Sequence, residues 1–475
     1  MTAAEIRATI VDGRTTATEI VASVVDRIRK VDDLLHSFIT VSEERALAQA
    51  AELDRRLALG EEPGPLWGAP FSVKDLYDTA GVVTTYGSRI YRNHLPATDA
   101  EAVARIRQAG GVLVGKTNTP EFGIYIRTVN GLQAETRNPW DIQRISGGSS
   151  GGAAASVGAG LTPLSLGSDG GGSIRIPAAL CGTVGLAPSR GAVPRTGGYI
   201  GTRRFSTAGP IALDAGDAIT MWQAIRGPSS ADGLSRGLLP TGVSTQTTEI
   251  GPELRLRWIG KSGAVGAETD VVAATEDGAQ HLATAVKASL DLSRSELGSP
   301  RFADAFYNMM QADRLSTGGR HLLESESTRS QLTDYARHHF ERAAAVAGAD
   351  YSAAVEMQLE ATEHLLRVMD GADVLVTPTV PFVAPIASAD FAGLPEDVRQ
   401  SFVAFTFLTN YTGFPAATVP CALVRGLPVG LQLIGRPGSE DLLLELCCTF
   451  QREVFRLPTP QRLDTTDVRR TSLAT

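Results

Sequence analysis

The sequence is poor in the features that build metal sites, disulfide frameworks and membrane spans. Its 475 residues include four cysteines, two of them adjacent and none spaced as C-x-x-C, so neither a zinc site nor a disulfide framework is indicated. No uninterrupted apolar run approaches the roughly 18 residues of a membrane span. The first ten residues carry Glu5 and Arg7 where a signal peptide needs an apolar run. These absences predict a globular protein of the cytoplasm.

The chain also lacks a strong excess of charge of either sign. Lysine plus arginine numbers 44 and aspartate plus glutamate 52, which gives a net charge of −8. That balance supplies no basic surface for nucleic acid. Apolar residues make up 43% of the chain and charged residues 20%, which is enough to bury a large core. We therefore expect one large domain or two to three ordinary ones, with no nucleic-acid or membrane partner.

Helix and strand signals alternate along most of the chain. Thr16 with Glu19, and Thr98 with Glu101, form capping-box patterns that predict two helix starts. Short apolar runs predict strands at 70–73, 112–114, 373–377, 416–421 and 429–434. This alternation favours an α/β fold with a layered architecture.

Residues 236–370 differ from the rest of the chain. They are rich in alanine, glutamate, arginine and leucine, and they hold five of the seven histidines. Long stretches such as 340–369 have helical composition. We expect a helical insertion that packs on the sheet core rather than a separate domain.

Glycine is the residue that the sequence has in excess. Its 49 residues are about 10% of the chain, against a usual share of about 7%. Between Ser146 and Ser173, 10 of the 28 residues are glycine and seven are serine. A flexible linker has such a composition, but 153–157 favours a helix and 161–166 favours a strand, and a solvated linker needs neither. We interpret the segment as an ordered site where bare backbone approaches a ligand.

The end of this segment has the composition of a nucleophile beside an oxyanion hole. Gly170, Gly171 and Gly172 directly precede Ser173, so several N–H donors can surround one hydroxyl. A serine nucleophile also needs a base, yet no histidine lies between residues 95 and 280 or after residue 364. Lys74 follows a predicted buried strand and can be held neutral by burial. A solvent-facing lysine or a salt-bridge partner is the alternative interpretation of Lys74.

Several stretches together resemble the amidase signature family of serine hydrolases. They are GAPFSVKDLYDTAGVVTTYGS (68–88), GGVLVGKTNTPEF (110–122), SGGSSGGAAASVGAG (146–160), GSDGGGSIRIPAALCGTVGLAPSRG (167–191) and TGFPAATVPCALVRGLPVGLQLIGRP (412–437). The resemblance covers about 1–235 and 370–455 and is weak between them. It implies one amidase domain over 1–475, with a central mixed β-sheet flanked by helices. Its parts would be N-terminal helices (1–60), a catalytic core (65–235), a variable helical insertion (236–370) and the C-terminal part of the sheet (371–460).

The resemblance implies a Ser–cis-Ser–Lys triad. Ser173 would be the acyl-accepting nucleophile and Lys74 the base. Ser149 would be the bridging serine, in a cis peptide bond with Gly148. Backbone N–H groups at 170–173 would form the oxyanion hole, contributed by Gly170, Gly171, Gly172 and Ser173.

The resemblance also bears on the surroundings of the triad. Residues that flank the site are expected to orient its loops, and these are Ser150, Asp169 and Arg175. No cofactor and no metal are implied. The expected partner is a small-molecule amide substrate, and a homodimer is the candidate assembly.

Two other motifs match formally but lack the required context. Residues 110–117 fit the phosphate-binding pattern G-x-x-x-x-G-K-[ST], but the order is helix, turn, strand instead of strand, loop, helix. The string GGSSG fits the nucleophile elbow of α/β-hydrolases, a fold that needs a late histidine. The sequence has none after His364. Both interpretations are therefore disfavoured.

Two functions compete on this framework. The first is a stand-alone amidase that cleaves a carboxylic amide through an acyl-enzyme; the triad chemistry equally admits esters, carbamates and hydrazides. The second is the glutamine-hydrolysing A subunit of a tRNA-dependent amidotransferase. That protein holds the glutamine carboxylate with an arginine, and the corresponding position here is Gln358. The only arginine of the predicted 351–369 helix is Arg367, so the sequence favours the stand-alone amidase.

Overall fold

A mixed β-sheet of eleven strands organises the computed structural model, which describes residues 1–199, 201–235, 250–387, 396–458 and 460. Across this sheet the order is β1-β3-β2-β6-β8-β7-β12-β13-β11-β9-β10, and β4 and β5 form a separate antiparallel pair. The strands are β1 (Phe38–Val41), β2 (Pro70–Lys74), β3 (Val112–Thr117), β4 (Arg137–Asn138), β5 (Asp141–Ile145), β6 (Leu164–Asp169), β7 (Val184–Ala187), β8 (Thr207–Ala212), β9 (Arg255–Lys261), β10 (Ser289–Glu296), β11 (Val374–Pro378), β12 (Ala416–Val424) and β13 (Leu427–Ile434).

Helices flank the sheet and connect its strands. They are α1 (Ala3–Val11), α2 (Ala17–Leu35), α3 (Glu43–Ala58), α4 (Glu101–Gln108), α5 (Gly151–Gly158), α6 (Arg175–Cys181), α7 (Ala215–Ile225), α8 (Thr269–Val286), α9 (Pro300–Arg314), α10 (Arg320–Glu324), α11 (Glu326–Arg329), α12 (Asp334–Ala343), α13 (Gly348–Val368), α14 (Glu396–Val403), α15 (Phe407–Thr412) and α16 (Glu440–Glu453). Three short turns of helix lie at Arg89–Tyr91, Glu121–Gly123 and Leu315–Gly319. The predicted α/β class with a central mixed sheet is confirmed.

Three neighbouring strands of the sheet, β3, β2 and β6, are parallel and buried on both faces. Strand β2 pairs in parallel with β3 and with β6, and every residue of the three strands is buried. Helices cover both faces of such strands, so apolar residues can occupy successive positions, as they do at 112–114 of β3. Side chains that alternate along β8 show the two layers: Ala208 and Ala212 join the core beneath α7, whereas Ile211 packs with α5.

The capping predictions had different outcomes. Thr16 and Glu19 form a complete capping box at the start of α2. Thr98 does not cap α4, which begins at Glu101 after Ala100 without a side-chain cap. The pattern was therefore shifted relative to the true helix start, and Thr98 lies outside the helix.

The stretch that formally matches the phosphate-binding pattern does not form a loop. Its residues Gly115 and Lys116 lie within β3, and Lys116 is fully buried with its Nζ 3.2 Å from Oδ1 of Asp75. A lysine held in a buried ion pair inside a strand is not available to a phosphate, which agrees with the interpretation drawn from element order.

The helical insertion expected at 236–370 holds six helices, α8 to α13, among its described residues, but it also contains two strands that the sequence analysis did not predict. This region contributes β9 and β10 to one edge of the central sheet, where β9 pairs in parallel with β11. The signal was weak because arginines alternate with the buried Leu256 and Trp258 of β9, and because β10 is mostly exposed. The predicted helical stretch 340–369 is divided between α12 and α13. Residues 236–249 lie outside the described part.

Neither a membrane-spanning helix nor a cluster of metal-ligating side chains occurs in the described ranges. None of the described helices is both long enough and apolar enough to cross a lipid bilayer. The same residues contain no group of three histidine, cysteine, aspartate or glutamate side chains that could hold a metal ion.

Candidate active site

The candidate site lies where β2 and β6 end. Because these neighbouring strands are parallel, their carboxyl ends meet at one edge of the sheet, which is where open α/β sheets bind ligands. Strand β2 delivers Lys74 as its last residue, and β6 delivers Ser168 and Asp169. The serine-rich loop before α5 and the glycine-rich loop before α6 complete the site.

Lys74 is fully buried among hydroxyl groups. Its Nζ lies 2.6 Å from Oγ of Ser149, 3.0 Å from Oγ of Ser150 and 2.9 Å from Oγ of Ser168. No carboxylate from the described ranges lies within ion-pair distance of this amine. A buried amine surrounded by neutral oxygens is poorly placed to hold a proton.

The charges around Lys74 reinforce the effect of its burial. Burial lowers the pKa of Lys74 well below its usual range, and the positive charge of Arg195 lowers it further. Asp169 acts in the opposite direction, and Arg314 contributes a smaller lowering. These effects together favour the neutral amine of Lys74 over its charged form, relative to an exposed lysine.

The loop before α5 holds two serines against Lys74. The peptide bond between Gly148 and Ser149 is cis, as the resemblance implies. A Cβ atom at Gly148 would lie 2.8 Å from the carbonyl carbon of Ile126, so this position requires glycine. The N–H of Ser150 donates to the carbonyl of Ser173 at 3.1 Å, and this bond ties the two loops of the site together.

Ser173 lines the same cavity as Ser149. Its side chain is half-buried, and its hydroxyl has no hydrogen-bond partner among the residues that the structure describes. No direct bond joins the two serine hydroxyls. The structure thus brings Lys74 and Ser149 into contact and places Ser173 beside them.

The glycine loop offers fewer free amides than the sequence suggested. Gly172 adopts a φ of +124°, and a Cβ there would lie 2.2 Å from Oγ1 of Thr406. Its N–H donates to Oδ1 of Asp169 at 2.7 Å, which removes it from the predicted oxyanion hole. Across the described ranges, the N–H groups of Gly170, Gly171 and Ser173 have no acceptor.

Asp169 and Arg175 form a buried ion pair that holds this loop. Nη2 of Arg175 lies 3.0 Å from Oδ1 of Asp169, and Nε lies 3.0 Å from Oδ2. Although burial opposes ionisation of Asp169, the charge and hydrogen bonds of Arg175 lower the pKa of its carboxyl to about 2. Arg175 also donates to side-chain oxygens from the C-terminal part of the chain, those of Thr409, Asn410 and Gln432.

Three residues of the site were not predicted from the sequence. Ser168 contacts Lys74, and it is the residue before Asp169 in the glycine-serine motif, so that motif carried the signal. Arg195 and Arg314 line the cavity with Ser149 and Ser173. Arg195 follows no recognisable pattern, and Arg314 ends α9 in the weakly similar region, so the sequence held no signal for either.

Comparisons with known proteins agree with this architecture. Residues 19–444 match the family described as Amidase. The A subunit of glutamyl-tRNA(Gln) amidotransferase from Anaeromyxobacter dehalogenans is 35% identical over 466 residues, which cover 94% of each chain. A bacterial aryl acylamidase of the amidase signature family superposes with a TM-score of 0.86 at 25% identity, covering 98% of each chain.

A further solved structure comes from a protein complex described as vestigial, in work on the origins of an s-triazine catabolic enzyme. It superposes with a TM-score of 0.85 at 29% identity, covering 96% of this chain and 99% of that one. Amidase signature enzymes are amidohydrolases, and the named relatives include both a hydrolase and one component of an amidotransferase. From the family match, the sheet topology and these relatives together, we conclude that the chain belongs to the amidase family.

Proposed function

We propose that the chain hydrolyses an amide with Ser173 as nucleophile, Ser149 as bridging acid–base and Lys74 as base. The observation that carries this proposal is the buried Lys74 amine, 2.6 Å from Oγ of Ser149 and without a carboxylate partner in the described ranges. A structural lysine at this depth would need a counter-ion. A general base needs a neutral amine within hydrogen-bond reach of the proton that it abstracts.

The reaction begins with proton transfer along the three residues. Neutral Lys74 takes the proton of Ser149, which takes the proton of Ser173, and Oγ of Ser173 attacks the amide carbonyl carbon. The C–O bond forms as the carbonyl π electrons move to oxygen. The resulting oxyanion accepts hydrogen bonds from the free N–H groups of Gly170, Gly171 and Ser173.

The second half of the cycle releases both products. Ser149 returns a proton to the amide nitrogen, the C–N bond breaks, and the amine or ammonia leaves. Water then attacks the acyl-enzyme along the same proton path and releases the carboxylate. The Asp169–Arg175 pair supports these steps by fixing the loop that carries the three amides.

Two types of substrate are candidates for this chemistry: glutamine, and an amide cleaved by a stand-alone enzyme. The 35% identity to the A subunit of an amidotransferase, over 94% of each chain, favours glutamine, cleaved to pass ammonia onward in a complex. The similarity to an aryl acylamidase favours a stand-alone enzyme. Gln358 donates its amide to the carbonyl of Tyr411, and Arg367 lies exposed beside Glu363, so neither supplies the carboxylate contact expected of the amidotransferase component.

Ser173→Ala should reduce amide hydrolysis to the uncatalysed rate while leaving the fold intact, because only the attacking oxygen is removed. Initial rates on a panel of glutamine, aliphatic amides, anilides, esters and carbamates measure this. Circular dichroism and the unfolding midpoint serve as the fold control. Normal turnover by the variant would refute the assignment of Ser173.

The same panel separates the two substrates. A purified chain that cleaves an alkyl or aryl amide rapidly on its own is a free amidase. A chain that is inactive on these amides, and that hydrolyses glutamine only after the two other subunits of an amidotransferase are added, is the transferase component. Ser173→Ala serves as the background in both arms.

A further inference from the structure

The cavity that contains Ser149 and Ser173 is lined by donors that no protein group satisfies. Among the described residues, Nε of Arg195, Nε of Arg314 and the hydroxyl of Tyr199 are buried without an acceptor. Arg195 and Arg314 are only 8% and 9% exposed. Buried donors in folded proteins are nearly always paired. Three residues that line one cavity and each keep a donor unpaired therefore favour the binding of an acceptor there.

The charge of the cavity points to an anionic acceptor. Nη1 of Arg195 donates to the hydroxyl of Tyr77 at 2.8 Å, and Nη2 of Arg314 donates to a backbone carbonyl at 3.4 Å. Both acceptors are neutral, and no carboxylate of the described ranges pairs with either guanidinium. By contrast, the buried Arg175 has Asp169 as its counter-ion. Two buried positive charges without a counter-ion create a site for one negative group.

We propose that the substrate is an amide that carries a carboxylate, and that Arg195 and Arg314 bind this carboxylate; this rests on the Ser173 chemistry proposed above. A guanidinium group matches a carboxylate through parallel charge-assisted N–H bonds. The hydroxyl of Tyr199 supplies a further donor. The carboxylate binds while the amide carbonyl lies against Ser173 in the same cavity.

The cavity is nearly filled by its own side chains in this structure. Its volume is about 20 Å³, little more than one water molecule requires. Leu76 and Phe122 close it on the apolar side. A volume of this size holds no substrate amide, so binding requires the residues around the cavity to move apart.

A matched pair of amides tests the proposal. Succinamate and the neutral succinamide have the same length and differ in one carboxylate. The wild-type kcat/KM should be about 10- to 100-fold higher for succinamate, as expected for hydrogen bonds to a charged group. Arg314→Met should bring the ratio close to one. Arg314→Lys should give an intermediate ratio because it retains the charge without the planar fork.

A control variant separates the local effect from a general one. Arg301 is the exposed arginine of the same helix, α9, with 73% of its side chain accessible, so Arg301→Met should leave the ratio unchanged. A wild-type ratio of one or below, or a ratio that Arg314→Met preserves, would overturn the carboxylate site. Hydrolysis itself would then stand.

If the wild type cleaves neither amide, binding measurements decide the question. Calorimetry on Ser173→Ala compares succinate with succinamide, and then repeats the comparison with Arg314→Met added. Tighter binding of succinate that disappears with Arg314→Met supports the anion site, even though the proposed hydrolysis has failed. Equal binding of the two compounds rejects the site.

Discussion

Lys74 and Lys116 lie on the adjacent parallel strands β2 and β3, and both are fully buried. Nζ of Lys116 lies 3.2 Å from Asp75 and donates to Oγ1 of Thr84 at 2.7 Å. Nζ of Lys74 faces only serine oxygens. The same residue type at the same depth therefore meets a counter-ion on one strand and only hydroxyl and carbonyl oxygens on the next.

The two environments act differently on the protonation of each amine. Burial lowers the pKa of both lysines, but for Lys116 the charge of Asp75 opposes this lowering. For Lys74 the nearby charge of Arg195 adds to it. Depth alone does not create a base; the sign of the neighbouring charge decides whether a buried lysine holds its proton. We expect Lys116 to stabilise the fold and Lys74 to act in the reaction.

The largest difference should appear in catalysis. Lys74→Met should lower kcat/KM by about 10²- to 10⁴-fold, the range that a positioned general base contributes. The free energy of unfolding should not fall, because an amine that sheds its proton on folding is removed. Rates on a substrate of the wild type, together with urea unfolding, measure both quantities. More than a tenth of the activity remaining in the variant would contradict the role of Lys74 as base.

Lys116→Met should show the opposite profile. Removing one partner of a buried ion pair leaves Asp75 buried and unpaired, which costs about 3–5 kcal/mol of the free energy of unfolding. The double variant Asp75→Leu/Lys116→Met should recover most of that loss, since an apolar pair replaces the ionic one. Urea denaturation of the two variants measures the recovery. A single variant as stable as the wild type would show that the pair is not needed.

The sequence allows part of this contrast to be predicted. Lys74 directly precedes Asp75, and adjacency suggests an ion pair between them. Successive side chains of a strand point to opposite faces, so Asp75 lies on the side of Lys116, whose strand position pairs with Val73. The β2 strand and its buried lysine follow from the apolar run at 70–73. The pairing depends on the register between β2 and β3, which no local pattern encodes.

The remaining features of the site are also of two kinds: some are predictable from the local sequence, and others depend on the folded structure. The glycine-serine segment is recognisable as a site from its sequence, because bare backbone and hydroxyls are needed at fixed positions. Helix α5 and strand β6 were predictable from the same stretch. The loss of the Gly172 amide to Asp169 depends on how the loop turns. Arg195 and Arg314 reach the cavity from segments far apart in the chain, and only the folded structure brings their charges together.

The smallest effect concerns the pH dependence of the rate. The neutral fraction of Lys74 grows as pH rises through its lowered pKa, so kcat/KM should increase with pH and level off well below 10.5, the ordinary pKa of lysine. Arg195→Met should move this rise to higher pH, because the variant removes a positive charge that lowers the pKa of Lys74. Lys116→Met should leave the rise where it is, since the charges that shift the pKa of Lys74 are those of Arg195, Asp169 and Arg314. Rate profiles between pH 5 and 10 on a neutral amide distinguish the variants, and a shift in Lys116→Met but not in Arg195→Met would contradict the assignment of Arg195 as the charge that lowers the pKa of Lys74.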